Sequence, residues 1–393
     1  MSRNESLHFI NIAHFFDHFF LLIFPTAALA IAPAWDMSYA QVLLMGTPLY
    51  VTFALGTLPS GWLGDRIDRL KLIMVFFLGC GLSSLLIAIS DGPAGLMFGL
   101  GLLGLFASMY HPVGLAHVTD IGKRTGRALA INGVFGNMGL AGAAITTGVL
   151  AKTLGWQTAF ALPGVMSIII AIFMFWRNLQ HSKKVTFQPS LKQDNLIPTQ
   201  RRVQFVVFGV ICIAALFGGV VFNAITISLP KFFDERLVNV AGDLSWIGAS
   251  AGAVFAIAAF AQLPVGEMLD KYGARPILIT LLTGQIILLL CLSQATGTLA
   301  LGLALLLVVM MFAEIPITSW LLSRYVRSNL RARAVSVEYT LSLGMGSATV
   351  PLIAIMHKAG YGFDVQFVAL AISATVVLVA TFFLPQEDHI TQS

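Results

Sequence analysis

The sequence predicts an all-α membrane protein with twelve transmembrane helices in two pseudo-symmetric six-helix halves. Three observations carry that expectation. Of 393 residues, 57% are hydrophobic and only 10% charged, with a mean hydropathy of +0.86. Soluble domains carry about 25% charged residues, and no soluble fold of this length hides so much apolar surface. The apolar residues gather in twelve continuous runs, each near the ~20 residues that cross a bilayer as a helix, without the alternation of barrel strands. Finally, Pro59-x-Gly61-x-x-x-Asp65-Arg66 returns as Pro264-x-Gly266-x-x-x-Asp270-Lys271, 205 residues later.

The first six spans are expected at 7–32, 41–62, 71–90, 94–118, 128–151 and 158–176. The second six are expected at 204–229, 245–265, 275–294, 299–323, 333–356 and 365–384. This divides the chain into an N-terminal half at 1–176, a linker at 177–203 and a C-terminal half at 204–393. The linker holds Lys183-Lys184 and Arg201-Arg202 and reads as a solvated connector, with contact to anionic lipid as the alternative. Further echoes support the repeat. Gly126-Arg127 through Asn132 resembles Ala332-Arg333 through Glu338, and Gly155-Trp156 resembles Gly360-Tyr361. Repeats on this scale characterise secondary transporters.

Orientation follows from the basic residues. With the N-terminus in the cytoplasm, 19 Lys and Arg fall inside and only Lys152, Lys231, Arg236 and Lys358 fall outside. The positive-inside rule therefore puts both chain ends in the cytoplasm. The net charge of +5 is scattered through short loops and forms no nucleic-acid patch. Cys80, Cys212 and Cys291 each lie within an apolar run and read as small packing residues. The first apolar segment is too long for a cleavable leader and carries His and Asp.

The core Gly61-x-Leu63-x-Asp65-Arg66 resembles the loop between helices 2 and 3 of the major facilitator superfamily, and its return at 266–271 strengthens the likeness. The resemblance implies a location in the cell inner membrane, a monomer among lipids, and helices 1, 4, 7 and 10 around a central cavity. It also implies that Gly61, Asp65, Arg66 and Arg69, with Gly266, Asp270 and Lys271, latch the cytoplasmic side. Asp65 is expected near the start of helix 11 at Arg333, and Asp270 near the start of helix 5 at Arg127. A carboxylate at a helix N-terminus is favoured by ~0.3–1 kcal/mol. Ala13-His14-x-x-Asp17 and Tyr110-His111-Pro112 further resemble motifs of fosmidomycin-resistance-type exporters, over about residues 10 to 150. Those exporters carry Glu after the proline where this chain has Val113, so no substrate is carried over.

Charge in the hydrocarbon core costs ~2.5–3.5 kcal/mol or more on insertion scales, so polar residues there are candidate sites. Helix 1 carries Asn11, His14, Asp17 and His18 within about a third of its circumference. Helix 4 carries Tyr110 and His111, helix 7 carries Asn223, and helix 10 carries Glu314 before Pro316. Glu314 is expected to carry protons, with His111 facing it across the cavity, and Asp17 to pair with His14 or His18. A bland alternative for each His is a bond to a neighbouring carbonyl. Asn11, Tyr110, Asn223, Phe15 and Phe19 are the expected substrate wall, since aromatic surface with a few polar groups suits small molecules. Gly133, Gly136, Gly139 and Gly142 put small residues on one face of helix 5 for close packing. Glu338 is left open between the cavity and a cytoplasmic arginine.

The expected function is secondary active transport of a small organic compound, coupled to protons, with efflux implied by the resemblance. The alternative keeps the fold and moves a divalent metal ion on His and carboxylate ligands. An enzyme is not expected: the sequence holds no Gly-x-x-x-x-Gly-Lys-Ser/Thr loop and no His-Glu-x-x-His motif. No cofactor, resident metal or nucleic-acid partner is expected.

Overall fold

The computed structural model describes residues 3–121, 125–180, 201–237, 242–326 and 328–386. Twelve membrane-length helices run through them. The first half holds α1 (Arg3–Ala34), α2 (Tyr39–Gly64), α3 (Arg69–Ala88), α4 (Pro93–Thr119), α5 (Ala128–Thr153) and α6 (Trp156–Gln180). The second holds α7 (Arg201–Arg236), α8 (Leu244–Leu269), α9 (Ala274–Leu292), α10 (Gly297–Tyr325), α11 (Ala334–Lys358) and α12 (Phe363–Thr381). Every expected span is present. The middle of the linker, 181–200, lies outside the described residues. Helix α7 outlasts its apolar run because Lys231 pairs with Asp234 at 2.7 Å and Glu235 at 3.4 Å, one turn along the same face.

Local chemistry sets the boundaries. Ser38 and Gln41 form a reciprocal capping box at the start of α2. Asp68 accepts from the Lys71 amide to begin α3, and Pro93 opens α4 from its first turn. Gly155 and Gly360 end α5 and α11 with φ of +92° and +81°. That left-handed backbone favours glycine, which explains why the two positions echo each other in sequence.

The packing repeats as the sequence does. In the first half α1 packs on α5, α2 on α4, and α3 on both α4 and α6. In the second half α7 packs on α11, α8 on α10, and α9 on both α10 and α12. The halves join through α5 with α8 and α2 with α11, again an equivalent pair. Lipid tails give no hydrophobic drive for helix association, so close approach depends on small residues. On α5, a Cβ at Gly139 would lie 2.1 Å from the Phe15 carbonyl oxygen of α1, and one at Gly136 would lie 2.5 Å from His14 Nε2. Gly148 meets Gly248 of α8 at the seam between halves, and Gly133 meets Gln262.

At the end of the bundle where α5 stops and α8 starts, Lys152 pairs with Asp243 across that seam. Asp243 also caps α8, accepting from the Ser245 and Trp246 amides at 2.9 and 3.2 Å. Its hydrogen bond from Lys152 holds the carboxyl below the ordinary carboxylate range. A depressed group keeps its contribution above its unfolded value and loses it as pH falls through the folded one. The pair therefore stays intact from pH 5 to 8. Asn caps a helix as well as Asp does, so Asp243→Asn removes only the ion pair and Asp243→Ala removes the cap too. Hydrogen-exchange protection at residues 244–250, taken relative to the intrinsic rate at each pH, is expected to fall in both variants, more in Asp243→Ala, and to stay constant over that window in the wild type.

Candidate functional site

Three helices, α1, α4 and α5, bring polar side chains together in the N-terminal half. Helix α4 opens at Ser108 and Met109 before resuming at Tyr110. Pro112 has no N–H for the Ser108 carbonyl, so the break sits one turn before the proline. The second segment then presents Tyr110 and His111 to α1 and α5. Asn132 of α5 is the centre of the network. Its main-chain carbonyl accepts from His14 Nδ1 at 2.7 Å, its side-chain oxygen accepts from the Tyr110 hydroxyl at 3.0 Å, and its amide donates to Asn11 at 2.9 Å. With Nδ1 of His14 donating, Nε2 of the same ring is left to accept, and His18 Nε2 reaches it at 3.1 Å.

Asp17 is fully buried, and its nearest cation partner is His111, with Oδ2 and Nε2 3.2 Å apart. This corrects the expected pairing. His14 is committed to Asn132 and His18 to His14, which leaves Asp17 to a histidine from α4. The approach is at ion-pair distance but misaligned for hydrogen bonding: among the described residues both Asp17 oxygens and both His111 nitrogens are buried without a hydrogen-bond partner. The His111 ring also meets Tyr339 of α11, centroids 5.1 Å apart, and so touches the opposite half.

Glu314 does not face His111. It accepts from Gln285 of α9 at 3.0 Å and lies near Gly218, where α7 loosens into a π-helical turn at Ala214–Gly218. Helix α10 turns this face toward α9 and the bulge of α7, within its own half. Glu314 keeps part of its surface accessible, and a π-bulge beside it fits the frequent placement of such turns at functional sites.

The expected substrate wall divides in two. Phe15 and Asn223 are part-exposed, whereas Asn11, Phe19 and Tyr110 are buried. Phe15 leans on Gly142 of α5. Asn223 donates to the Gly219 and Ser342 carbonyls at 2.8 and 3.2 Å, tying α7 to α11. Glu338 is part-exposed on α11, next to Tyr339. In the α2–α3 loop Arg66 stacks on Trp62 at 3.8 Å, while Gly61 and Gly64 leave room for Pro112 and Val113 of α4. Lys271 lies 5.0 Å from the ring of Tyr272. The side chains of Asp270, Arg127 and Arg333 lie outside the described residues.

Sequence reasoning passed over Asn132, Gln285 and Tyr339. The signal for Asn132 was its place opposite Glu338 in the repeat. Gln285 and Tyr339 gave none, being single uncharged residues in apolar helices.

A family description, Major Facilitator Superfamily, matches residues 7–240, more than half of the chain. The chain belongs to the major facilitator superfamily. Relatives within reach include the multidrug resistance protein MdtG of Escherichia coli O17:K52:H18 (strain UMN026 / ExPEC), 24% identical over 332 residues, which cover 83% of this chain and 80% of MdtG. The MdtG of Escherichia coli strain K12 / DH10B is 25% identical over the same shares. Two solved structures share the fold. A bacterial homolog of the human lysosomal transporter Spinster, inward-facing and occupied, superposes with a TM-score of 0.73 at 16% identity, covering 97% of this chain and 94% of that one. A mutant of the peptide transporter POT in complex with sulfate gives 0.74 at 13% identity, covering 97% and 93%. The protein is thus a multi-pass membrane transporter of the superfamily.

Proposed function

We propose that this superfamily protein exports small organic compounds across the cell inner membrane by proton antiport, with both chain ends in the cytoplasm. One observation supports proton coupling above the others. Glu314 sits mid-length in α10, part-exposed, and among the described residues its hydrogen-bond partner is a neutral amide. Among the described residues a carboxylate there has no counter-ion, and burying an unpaired charge is costly. A proton removes that cost, and access to water from one side and then the other makes the group a carrier. His14, Asp17, His18 and His111 act as modulators from the other half. The multidrug name of the MdtG relatives supports organic substrates, and part-exposed Phe15 and Asn223 supply aromatic and polar surface of the kind that suits them. In inside-out membrane vesicles, lipophilic drugs are expected to accumulate when respiration acidifies the lumen. Accumulation that persists at full level after an uncoupler would refute proton drive.

The two charged loops act as latches in the same cycle: Asp65 meets the start of α11 and Asp270 the start of α5 when the cytoplasmic side closes. Cysteines at 65 and 333 are expected to cross-link in the outward-open form and much less in the inward-open form. Equal yields in both forms would remove the latch.

A further inference from the structure

We infer that His14, His18 and His111 form a binding site for one divalent ion of the Zn²⁺ class, bridging α1 and α4. The inference concerns binding, stands independently of the proton reading, and does not make the ion a cargo. One ring nitrogen from each histidine lies within 4.8 Å of the other two. Tetrahedral Zn²⁺ holds nitrogens at ~2.0–2.1 Å, which sets ligands about 3.3 Å apart, and His14 Nε2 and His18 Nε2 are already 3.1 Å apart. The two lie one helical turn apart, as zinc ligands on a helix commonly do. His111 need close in by only ~1.5 Å to complete a three-imidazole set.

The surroundings match those of a metal site. Ligating histidines typically donate their second nitrogen to a main-chain carbonyl or a carboxylate, which fixes the tautomer and aims the free lone pair. His14 donates Nδ1 to the Asn132 carbonyl, and His111 Nε2 lies against the Asp17 carboxylate. Among the described residues, both oxygens of Asp17 and both nitrogens of His111 are buried without a hydrogen-bond partner. Buried polar atoms are rarely left so, and a cation among the rings would orient them. Asp17 also offsets half of a divalent charge. Imidazole ligands favour Zn²⁺, Ni²⁺ or Co²⁺ over Mg²⁺ and Ca²⁺.

The test is calorimetric titration of the purified full chain in nanodiscs with Zn²⁺, repeated with Co²⁺, whose visible spectrum reports nitrogen coordination. One ion per chain is expected, with a rise in the unfolding temperature from linkage. His18→Gln is expected to weaken binding at least ~100-fold and abolish the Co²⁺ bands, and Asp17→Asn to weaken it about 10–100-fold. His18 is only part-buried, so His18→Gln keeps the fold, as its elution profile will show. His8→Ala, at an exposed position outside the cluster, is expected to bind as wild type. Mg²⁺ in place of Zn²⁺ is expected to give no heat. Absence of stoichiometric Zn²⁺ binding in the wild type, or equal affinity in His18→Gln, overturns the proposal.

Discussion

Glu314→Gln is expected to abolish proton-driven export while leaving drug binding within a few-fold of wild type. Glutamine has nearly the shape of a protonated glutamate and keeps a partner for Gln285, so the 3.0 Å contact between α9 and α10 survives in altered form. What disappears is the ability to change charge. An antiporter whose carrier is locked neutral can still bind and exchange substrate, but the gradient no longer drives net movement. The expected loss is therefore close to complete in accumulation assays and small in binding, a split that misfolding does not produce. Uphill transport at wild-type level by the variant would shift the role to Asp17, the fully buried carboxylate of α1, which is paired with His111.

Gly139→Val is expected to have the largest effect on folding. A Cβ at 139 would meet the Phe15 carbonyl oxygen at 2.1 Å and the Phe19 amide nitrogen at 3.1 Å. Both are main-chain atoms of α1, so no rotamer change relieves the clash and the whole helix must retreat. Overpacking typically costs ~1–3 kcal/mol where side chains can adjust; here the cost reaches or passes the upper end. Separating α1 from α5 would also stretch the His14–Asn132 bond, linking seam to site. Gly209, with nothing among the described residues within 4 Å of a built Cβ, is the control. There Gly→Ala gains helix propensity of ~1 kcal/mol at no steric cost, and the expected change is neutral to stabilising. Thermal unfolding and monodisperse yield in detergent measure both. A Gly139→Val protein as stable as wild type would show that the helices do not approach this closely.

Much of the architecture was legible because the relevant signals are local or periodic. Apolar run length fixed the twelve spans, and the return of Pro-x-Gly-x-x-x-Asp at 205 residues paired the halves. The glycines at 155 and 360 were readable as an echo before their positive φ explained it. Helix 1 was rightly read as a polar face, and its four residues do meet α4 and α5. Partners were not legible. Asp17 was assigned to histidines on its own helix and Glu314 to His111, whereas the structure gives His111 to Asp17 and Gln285 to Glu314. Which residue faces which depends on how each helix is rotated about its axis, and the breaks in α4 and α7 reset that rotation midway. Periodicity does not encode those breaks. Asn132 escaped notice because an uncharged side chain in an apolar helix costs little until its three contacts are seen.

The central claim, that drug and proton exchange on one carrier, is tested most directly by proton release on binding. Purified protein in weakly buffered solution with a pH indicator would receive drugs that raise its thermal stability. Wild type is expected to release protons in step with occupancy, and Glu314→Gln to bind the same drugs with no release. Saturating drug binding to the wild type without release of a proton would contradict the account.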